Sequence, residues 1–228
     1  MGFSLFKSKA PALIDTEYKL QEVLNEAFSY FQSVYPDDVE TAKVSFVKLT
    51  GQFDEEHEYF ESKLDDFRNW FLFFYGGGHF TNLKKIKEDD ALEKYYNYLT
   101  SGVFSLFLVQ KIKGEQITLK DISDNKTYKV NNSVAALSME KGDCIQTSLY
   151  HHKGGIYEFG LSIVAHPVES VRYIRKKVKE VKKGKGITQE GLFERLIGMR
   201  YQFFKYRQLE VKQIYSDKSL LFEKISEA

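Results

Sequence analysis

The spacing of apolar residues changes twice along this 228-residue chain, and these changes restrict its fold more than any other feature. Before residue 100 the apolar residues recur every three or four positions, most regularly over residues 60–74, which is the period of an α-helix. Over residues 101–167 apolar and polar residues alternate, which is the period of a β-strand. The helical period returns after Pro167. Helix starts are expected at Asp15 or Thr16, Asp37 or Asp38, Asp54, Asp89 or Asp90, Thr188, and Ser216 or Asp217, with a glycine break at 76–78 and a hairpin turn at 153–155. The pattern therefore predicts an α+β chain with helices at both ends and strands between them.

The alternating segment predicts five short strands. Their apolar positions lie within residues 103–109, 117–119, 127–130, 145–149 and 157–163. Five strands in about 65 residues leave no room for crossover helices, and strands that are joined by short turns run antiparallel. We therefore expect a small five-stranded antiparallel barrel of the SH3 or OB type.

The formal net charge of +1 conceals a gradient along the chain. The periodicity defines a helical region at residues 1–100, the barrel at residues 101–167 and a C-terminal helical region at residues 168–228. Their net charges are −7, +1 and +7. Such an uneven distribution indicates an anionic partner for the basic region. The alternative is that the acidic and basic regions neutralise each other, within one molecule or between two copies.

The basic charge is concentrated in one short segment. Residues 172–185 contain eight lysines and arginines, with Glu180 as the single acid. On a helix, an apolar stripe from Val171 to Val181 would face the protein, and basic side chains would form the adjacent face. Basic residues are also interleaved with aromatic residues over 195–207. The candidate anion-binding residues are Arg172, Arg175, Lys176, Lys179, Lys182, Lys183, Arg200 and Arg207.

The predicted barrel offers a second candidate surface, because small barrels bind oligonucleotides, peptides or other domains through one face and its loops. Strand alternation places Ile145 and Leu149 inside the barrel. We expect Tyr128, Tyr150 and His152 on its outer surface.

No combination of residues predicts catalysis or metal binding. The single cysteine, Cys144, excludes an internal disulfide framework and a multi-thiolate zinc site. On one strand Cys144 and His151 point to opposite faces, and His152 lies about 27 Å from Cys144. The glycines at 76–78 are not followed by the Lys-Ser/Thr pair of a P-loop. The carboxylates at 65–66 are expected on a solvated helix face. Taken together, these patterns predict a non-enzymatic protein without metal or cofactor.

Residues 67–73, with the sequence Phe-Arg-Asn-Trp-Phe-Leu-Phe, resemble the F-x-x-W-F-L-F segment of an uncharacterised bacterial domain built from helices and a small β-barrel. That domain often precedes a zinc motif like the one at the C-terminus of the SecA translocase. The similarity continues at residues 101–104, 118–122, 133 and 142–143, and it covers roughly residues 54–165. Phe74 stands where the group often carries Asp, and the cysteine-rich zinc tail is absent. The resemblance implies a fold and a bacterial origin, and it implies almost nothing about activity.

These observations predict a cytoplasmic, non-enzymatic binding protein that presents its basic C-terminal helix and small barrel to RNA, DNA or a ribonucleoprotein. The alternative is an adaptor or scaffold whose partner is an acidic protein surface or a second copy of the chain. No apolar run approaches the length of a spanning helix. Phe3, Leu5 and Phe6 could form an interfacial anchor with the neighbouring lysines, but a frayed or self-packed terminus is expected instead, so membrane contact is not expected.

Overall fold

The computed structural model of the chain describes residues 19–52, 60–76, 81–87, 89, 92–152 and 155–219, apart from the side chains of Lys94, Ser133 and His152. Several predicted features lie outside these residues. They are the first helix cap at Asp15 or Thr16, the helix start at Asp54, the later glycines of 76–78, the turn at 153–154 and residues 220–225 of the expected terminal helix. The expected start of that helix at Ser216 or Asp217 is wrong, because these residues lie in a bend and a turn.

Five helices precede the strands within the described residues. They are α1 (Leu20–Val34), α2 (Pro36–Thr50), α3 (Phe60–Phe73), α4 (Thr81–Ile86) and α5 (Glu93–Thr100). Pro36 occupies the first turn of α2, where its missing N–H removes no helical hydrogen bond. Gly51 follows α2 with a φ of 92°, a backbone conformation that favours glycine. The sequence did not predict α4, and α5 begins at Glu93 rather than at Asp89 or Asp90.

The central segment forms five strands, which confirms the predicted strand number and the α+β class. They are β1 (Val103–Lys113), β2 (Gln116–Asp121), β3 (Thr127–Asn131), β4 (Cys144–His152) and β5 (Ile156–His166). The sheet closes on itself in the order β1-β2-β3-β5-β4. A short helix that the sequence did not predict, α6 (Ser133–Ser138), connects β3 to β4.

The prediction of a wholly antiparallel barrel is wrong at one strand pair. β3 and β5 run parallel, paired at Val130 and Tyr157, whereas the other four pairs are antiparallel. The reason is geometric, because strand direction cannot alternate all the way around a closed ring with an odd number of strands. One parallel pair is therefore required.

The C-terminal region begins with a 3₁₀ turn at Val168–Ser170, which follows Pro167 directly. The helices after it are α7 (Val171–Lys182), α8 (Gln189–Lys205) and α9 (Val211–Ile214). The predicted cap of α8 is confirmed, because the Thr188 hydroxyl accepts a hydrogen bond of 3.1 Å from the Gly191 N–H. The sequence did not predict α9.

Two apolar clusters stabilise this arrangement. One fills the barrel interior and contains Phe107, Ile117 and Ile145. The other lies between the outer face of β1, β4 and β5 and the helices, and it includes residues from all three regions of the chain. Within it α3 and α8 pack against β5, and α2 packs against α8. By contrast, the outer face of β3 exposes Thr127 and Lys129.

The predicted surface positions of Tyr128 and Tyr150 are wrong, since both side chains are buried. Tyr128 points into the barrel, where its ring lies 5.6 Å from Phe107. Tyr150 does point outward from the barrel, but the helices cover that face, and its hydroxyl donates to the Leu99 carbonyl at 3.3 Å. The His152 side chain lies outside the described part of the chain.

Candidate functional site

A concave groove of about 1110 Å³ lies along α7. Its described walls come from the 3₁₀ turn, α7 and the residues that follow it, α9 and Tyr215, all within residues 168–215. Seven basic side chains line it, against the two carboxylates of Glu169 and Glu180. The basic residues are Arg172, Arg175, Lys176, Lys179, Lys183, Lys185 and Lys212.

The helical period of α7 explains how so many cations reach one surface. Ile174, Val178 and Val181 are buried on the face that packs against the protein. The row Arg172, Lys176, Lys179 and Lys183 follows the neighbouring face at spacings of four, three and four residues. At about 1.5 Å of rise per residue, this row extends for about 16 Å. A row of this kind matches an elongated anion better than a compact one.

The floor of the groove is aromatic and apolar. Tyr215 is buried, and its hydroxyl lies 3.1 Å from His166 Nδ1. Tyr173 is half-buried, and burial raises the pKa of its hydroxyl to about 12. These rings are held within the protein, so they add apolar contact area to the groove rather than open faces for stacking.

The described carboxylates that pair with α7 come from the same C-terminal region. Lys177 Nζ lies 2.7 Å from Glu180 Oε2 and 2.6 Å from Asp217 Oδ1. Burial raises the pKa of Asp217, but the hydrogen bond from Lys177 and the nearby positive charges outweigh this and hold that pKa below its ordinary value. The hydrogen bond from Lys177 also lowers the pKa of Glu180. Both carboxylates are therefore ionised partners of α7 at neutral pH.

Five of the eight predicted anion-binding residues lie together in the groove. They are Arg172, Arg175, Lys176, Lys179 and Lys183. Lys185 belongs to the basic segment that the sequence identified, although it was not among the predicted site residues. Lys212 was missed, because its position opposite α7 depends on how α9 packs and no local pattern shows it.

Lys182, Arg200 and Arg207 are not among the described lining residues. Arg200 lies over the ring of Phe204, with 3.7 Å between the guanidinium carbon and the ring centroid. Burial raises the pKa of Asp66 and lowers the pKa of His166, and the nearby charge of Arg200 acts to lower both values. Arg200 therefore acts within the protein, between α8 and the core, rather than in the groove.

A buried polar cluster joins α3 to α8, contrary to the prediction that Asp66 lies on a solvated face. Asp66 is 5% exposed, and its Oδ2 accepts a hydrogen bond of 2.6 Å from the Tyr201 hydroxyl. Burial raises the pKa of Asp66 to about 7. Lys63 donates to the carbonyls of Gly51 and Gln52, and burial lowers its pKa to about 8. These hydrogen bonds connect α3 to α8 and to the residues that follow α2.

The sequence did not identify His166 as the residue opposite Cys144 in the neighbouring strand. Cys144 on β4 lies opposite His166 on β5. Burial raises the pKa of the Cys144 thiol to about 12 and lowers the pKa of His166 to about 3. Both groups are therefore neutral at physiological pH, and the thiol has no activated form.

Comparisons with protein-family models, curated proteins and solved structures found no match. The resemblance to the bacterial helix-and-barrel domain therefore stays a prediction. Within the described ranges, no three side chains of His, Cys, Asp or Glu are grouped so that they could share a metal ion. None of the helices described here combines the length and apolar composition that a membrane crossing requires.

Proposed function

We propose that this protein binds nucleic acid, RNA or DNA, through the basic groove along α7. The observation that carries the proposal is the convergence of seven lysines and arginines on one concave surface, where the described lining residues include two carboxylates. Such a surface neutralises phosphates and releases their counterions, which is the main source of sequence-independent affinity for nucleic acid.

The residue types favour contact with the backbone over reading of bases. Five of the seven basic residues are lysines, which act as point charges toward phosphate rather than as bidentate forks. Tyr173 and Tyr215 are held in the groove floor, so base stacking adds little. We therefore expect weak sequence preference and strong salt dependence.

The barrel is the competing surface for the same function. Its strand order is that expected of a five-stranded Greek-key barrel, and we propose that it is of the OB class, whose β2 and β3 face binds oligonucleotides. The outward positions of β2 and β3 alternate with the buried ones and carry no aromatic residue. They are Gln116, Thr118, Lys120, Thr127, Lys129 and Asn131. Because stacking platforms are the usual feature of such faces, the groove is the better candidate.

Two charge-matched triple variants separate these surfaces. The groove variant carries Lys176→Glu, Lys179→Glu and Lys183→Glu. The barrel variant reverses the exposed lysines Lys111, Lys113 and Lys129, and so changes the net charge by the same amount. Affinity for mixed-sequence single-stranded oligonucleotides is measured by fluorescence anisotropy over a salt series, with circular dichroism to verify folding.

We expect the wild-type protein to show a slope of log affinity against log salt of about −3, from four phosphate contacts along α7. The groove variant should lose this binding, and the barrel variant should keep it. Loss of binding in the barrel variant alone would move the site to the barrel. No binding by the wild-type protein at low salt would refute the proposed function.

A protein partner is the second candidate, and α6 favours it. Val134 and Leu137 lie one helical turn apart and are 75% and 90% exposed. The two side chains form a small exposed apolar patch, which a protein partner would remove from water. Sedimentation equilibrium of the wild-type protein and of a Val134→Lys, Leu137→Lys variant tests self-association through this surface.

A bacterial origin and a cytoplasmic location stay predictions.

A further inference from the structure

Asp217 is surrounded by positive charge at the edge of the groove. Its carboxylate lies 2.6 Å from Lys177 Nζ, 3.6 Å from Lys176 Nζ and 3.8 Å from Arg195 Nη2. The Tyr173 hydroxyl donates to the same carboxylate at 3.4 Å. Lys176 and Tyr173 also line the groove, so this ring of donors opens onto the proposed binding surface.

The arrangement has the composition of an anion-binding site. Three cations and a hydroxyl converge on one carboxylate, which is more than one isolated surface ion pair supplies. Two of the cations are less exposed than the carboxylate: the side chains of Lys177 and Arg195 are 12% and 24% exposed, against 43% for Asp217. Lys176, at 63%, is the solvent-facing member of the ring, and Lys177 is also paired with Glu180 at 2.7 Å.

Asp217 also belongs to the short segment that follows α9. Arg195 Nη2 donates to the Ser216 carbonyl at 3.2 Å, so this segment is tied to α8 next to the carboxylate. The position of α7 does not depend on Asp217, because the buried face of that helix holds it against the protein.

We propose that Lys176, Lys177 and Arg195, with the Tyr173 hydroxyl, form a phosphate subsite of the groove that the chain's own Asp217 occupies in the absence of ligand. A ligand phosphate replaces the Asp217 carboxylate there, and binding is therefore weaker than the basic residues alone would give. This inference rests on the groove being an anion-binding site, as in the proposed function, but it does not require that the anion be a nucleic acid.

The test compares three single variants with the wild-type protein. Asp217→Asn removes the internal competitor, and Asp217→Glu keeps its charge. Glu169→Gln removes one negative charge from the same groove at a residue outside the ring of donors, so it reports the general change in electrostatic potential. Binding of inorganic tripolyphosphate and of a single-stranded oligonucleotide is measured by titration calorimetry at two salt concentrations.

We expect Asp217→Asn to raise the affinity for tripolyphosphate by about fivefold, the effect of one partly exposed ion pair. Its salt slope should become steeper by about one contact. Glu169→Gln should give a smaller rise, and Asp217→Glu should stay close to wild type. In the wild-type protein, tripolyphosphate should increase amide hydrogen exchange at residues 215–219 as Asp217 is displaced.

Equal rises in Asp217→Asn and Glu169→Gln would overturn the subsite, as would absence of tripolyphosphate binding in Asp217→Asn. If tripolyphosphate behaves as expected and oligonucleotides bind to none of the variants, the subsite stands and the proposed nucleic-acid function fails. The thermal unfolding midpoint of each variant shows whether it remains folded, so that a change in affinity can be assigned to the carboxylate rather than to a general loss of structure.

Discussion

The substitution Asp66→Asn should make the protein more stable at neutral and alkaline pH while leaving it nearly unchanged in mild acid. Asp66 is buried between α3 and α8, and its Oδ2 accepts a hydrogen bond from the Tyr201 hydroxyl. Burial raises its pKa to about 7, whereas the hydrogen bonds from Tyr201 and Ser162 act in the opposite direction. An asparagine oxygen accepts the same hydrogen bond without carrying charge.

The sign and size of the effect follow from linkage. In the unfolded chain the carboxyl titrates near its ordinary value of 3.8, so between about pH 4 and pH 7 the folded protein binds a proton that the unfolded chain lacks. Stability from this group is fully present below pH 4 and is lost as the pH rises through about 7. A gap of about three pKa units corresponds to about 4 kcal/mol.

Urea denaturation of the wild-type protein and Asp66→Asn, at about pH 4.5 and about pH 8, measures this directly. The free energy of unfolding of the variant, relative to wild type, should increase by up to about 4 kcal/mol between the two pH values. His166 titrates with the opposite sign, because burial lowers its pKa to about 3. That contribution is common to both proteins and cancels in the difference.

Tyr201→Phe provides the matched control. It removes the hydrogen bond that lowers the pKa of Asp66, so the loss of stability should extend to higher pH than in wild type. A stability difference between wild type and Asp66→Asn that is the same at both pH values would refute the reasoning. It would mean that the fold accommodates the ionised carboxylate, with Arg200 as the charge that compensates it.

Two further predictions concern the barrel. Gly160→Ala should destabilise the protein by about 1–3 kcal/mol, because the added Cβ would overlap Ser148 Oγ. Ser148→Ala in the same chain should restore most of that loss in urea denaturation, and equal stability of the single and double variants would contradict the clash. Native Cys144 should not react with a disulfide reagent at about pH 8, because it is fully buried with a pKa raised to about 12, and it should react once denatured. Rapid labelling of the native protein would contradict this.

The parts of the fold that the sequence predicted correctly are those set by local chemistry. Thr188 caps α8 because its own hydroxyl reaches the third residue along, and Pro167 separates β5 from the 3₁₀ turn before α7. The strands follow a two-residue period that each segment carries by itself. The basic face of α7 likewise depends only on spacing within one helix, and this is why five of its predicted residues lie in the groove.

The incorrect predictions concern contacts between distant parts of the chain. Whether Tyr150 is exposed depends on α5, 50 residues away, whose Leu99 carbonyl accepts its hydroxyl hydrogen. The burial of Asp66 depends on Tyr201 of α8, and the place of Lys212 depends on how α9 packs. No pattern within a single element contains this information, because burial of a side chain is decided by whatever covers it.

The contacts of the groove residues bear on the charge gradient along the chain. The sequence left open whether the acidic N-terminal region neutralises the basic C-terminal one. The described groove walls all belong to residues 168–215, and the carboxylates paired with Lys176 and Lys177 are Glu180 and Asp217 of the same region. Within the described residues, the acidic region contacts the C-terminal one through contacts such as the hydrogen bond of 2.9 Å that the Trp70 indole N–H donates to Glu194. Changing Glu180 and Asp217 should therefore affect anion binding more than changing exposed acids of α1 or α2, none of which is among the described groove residues.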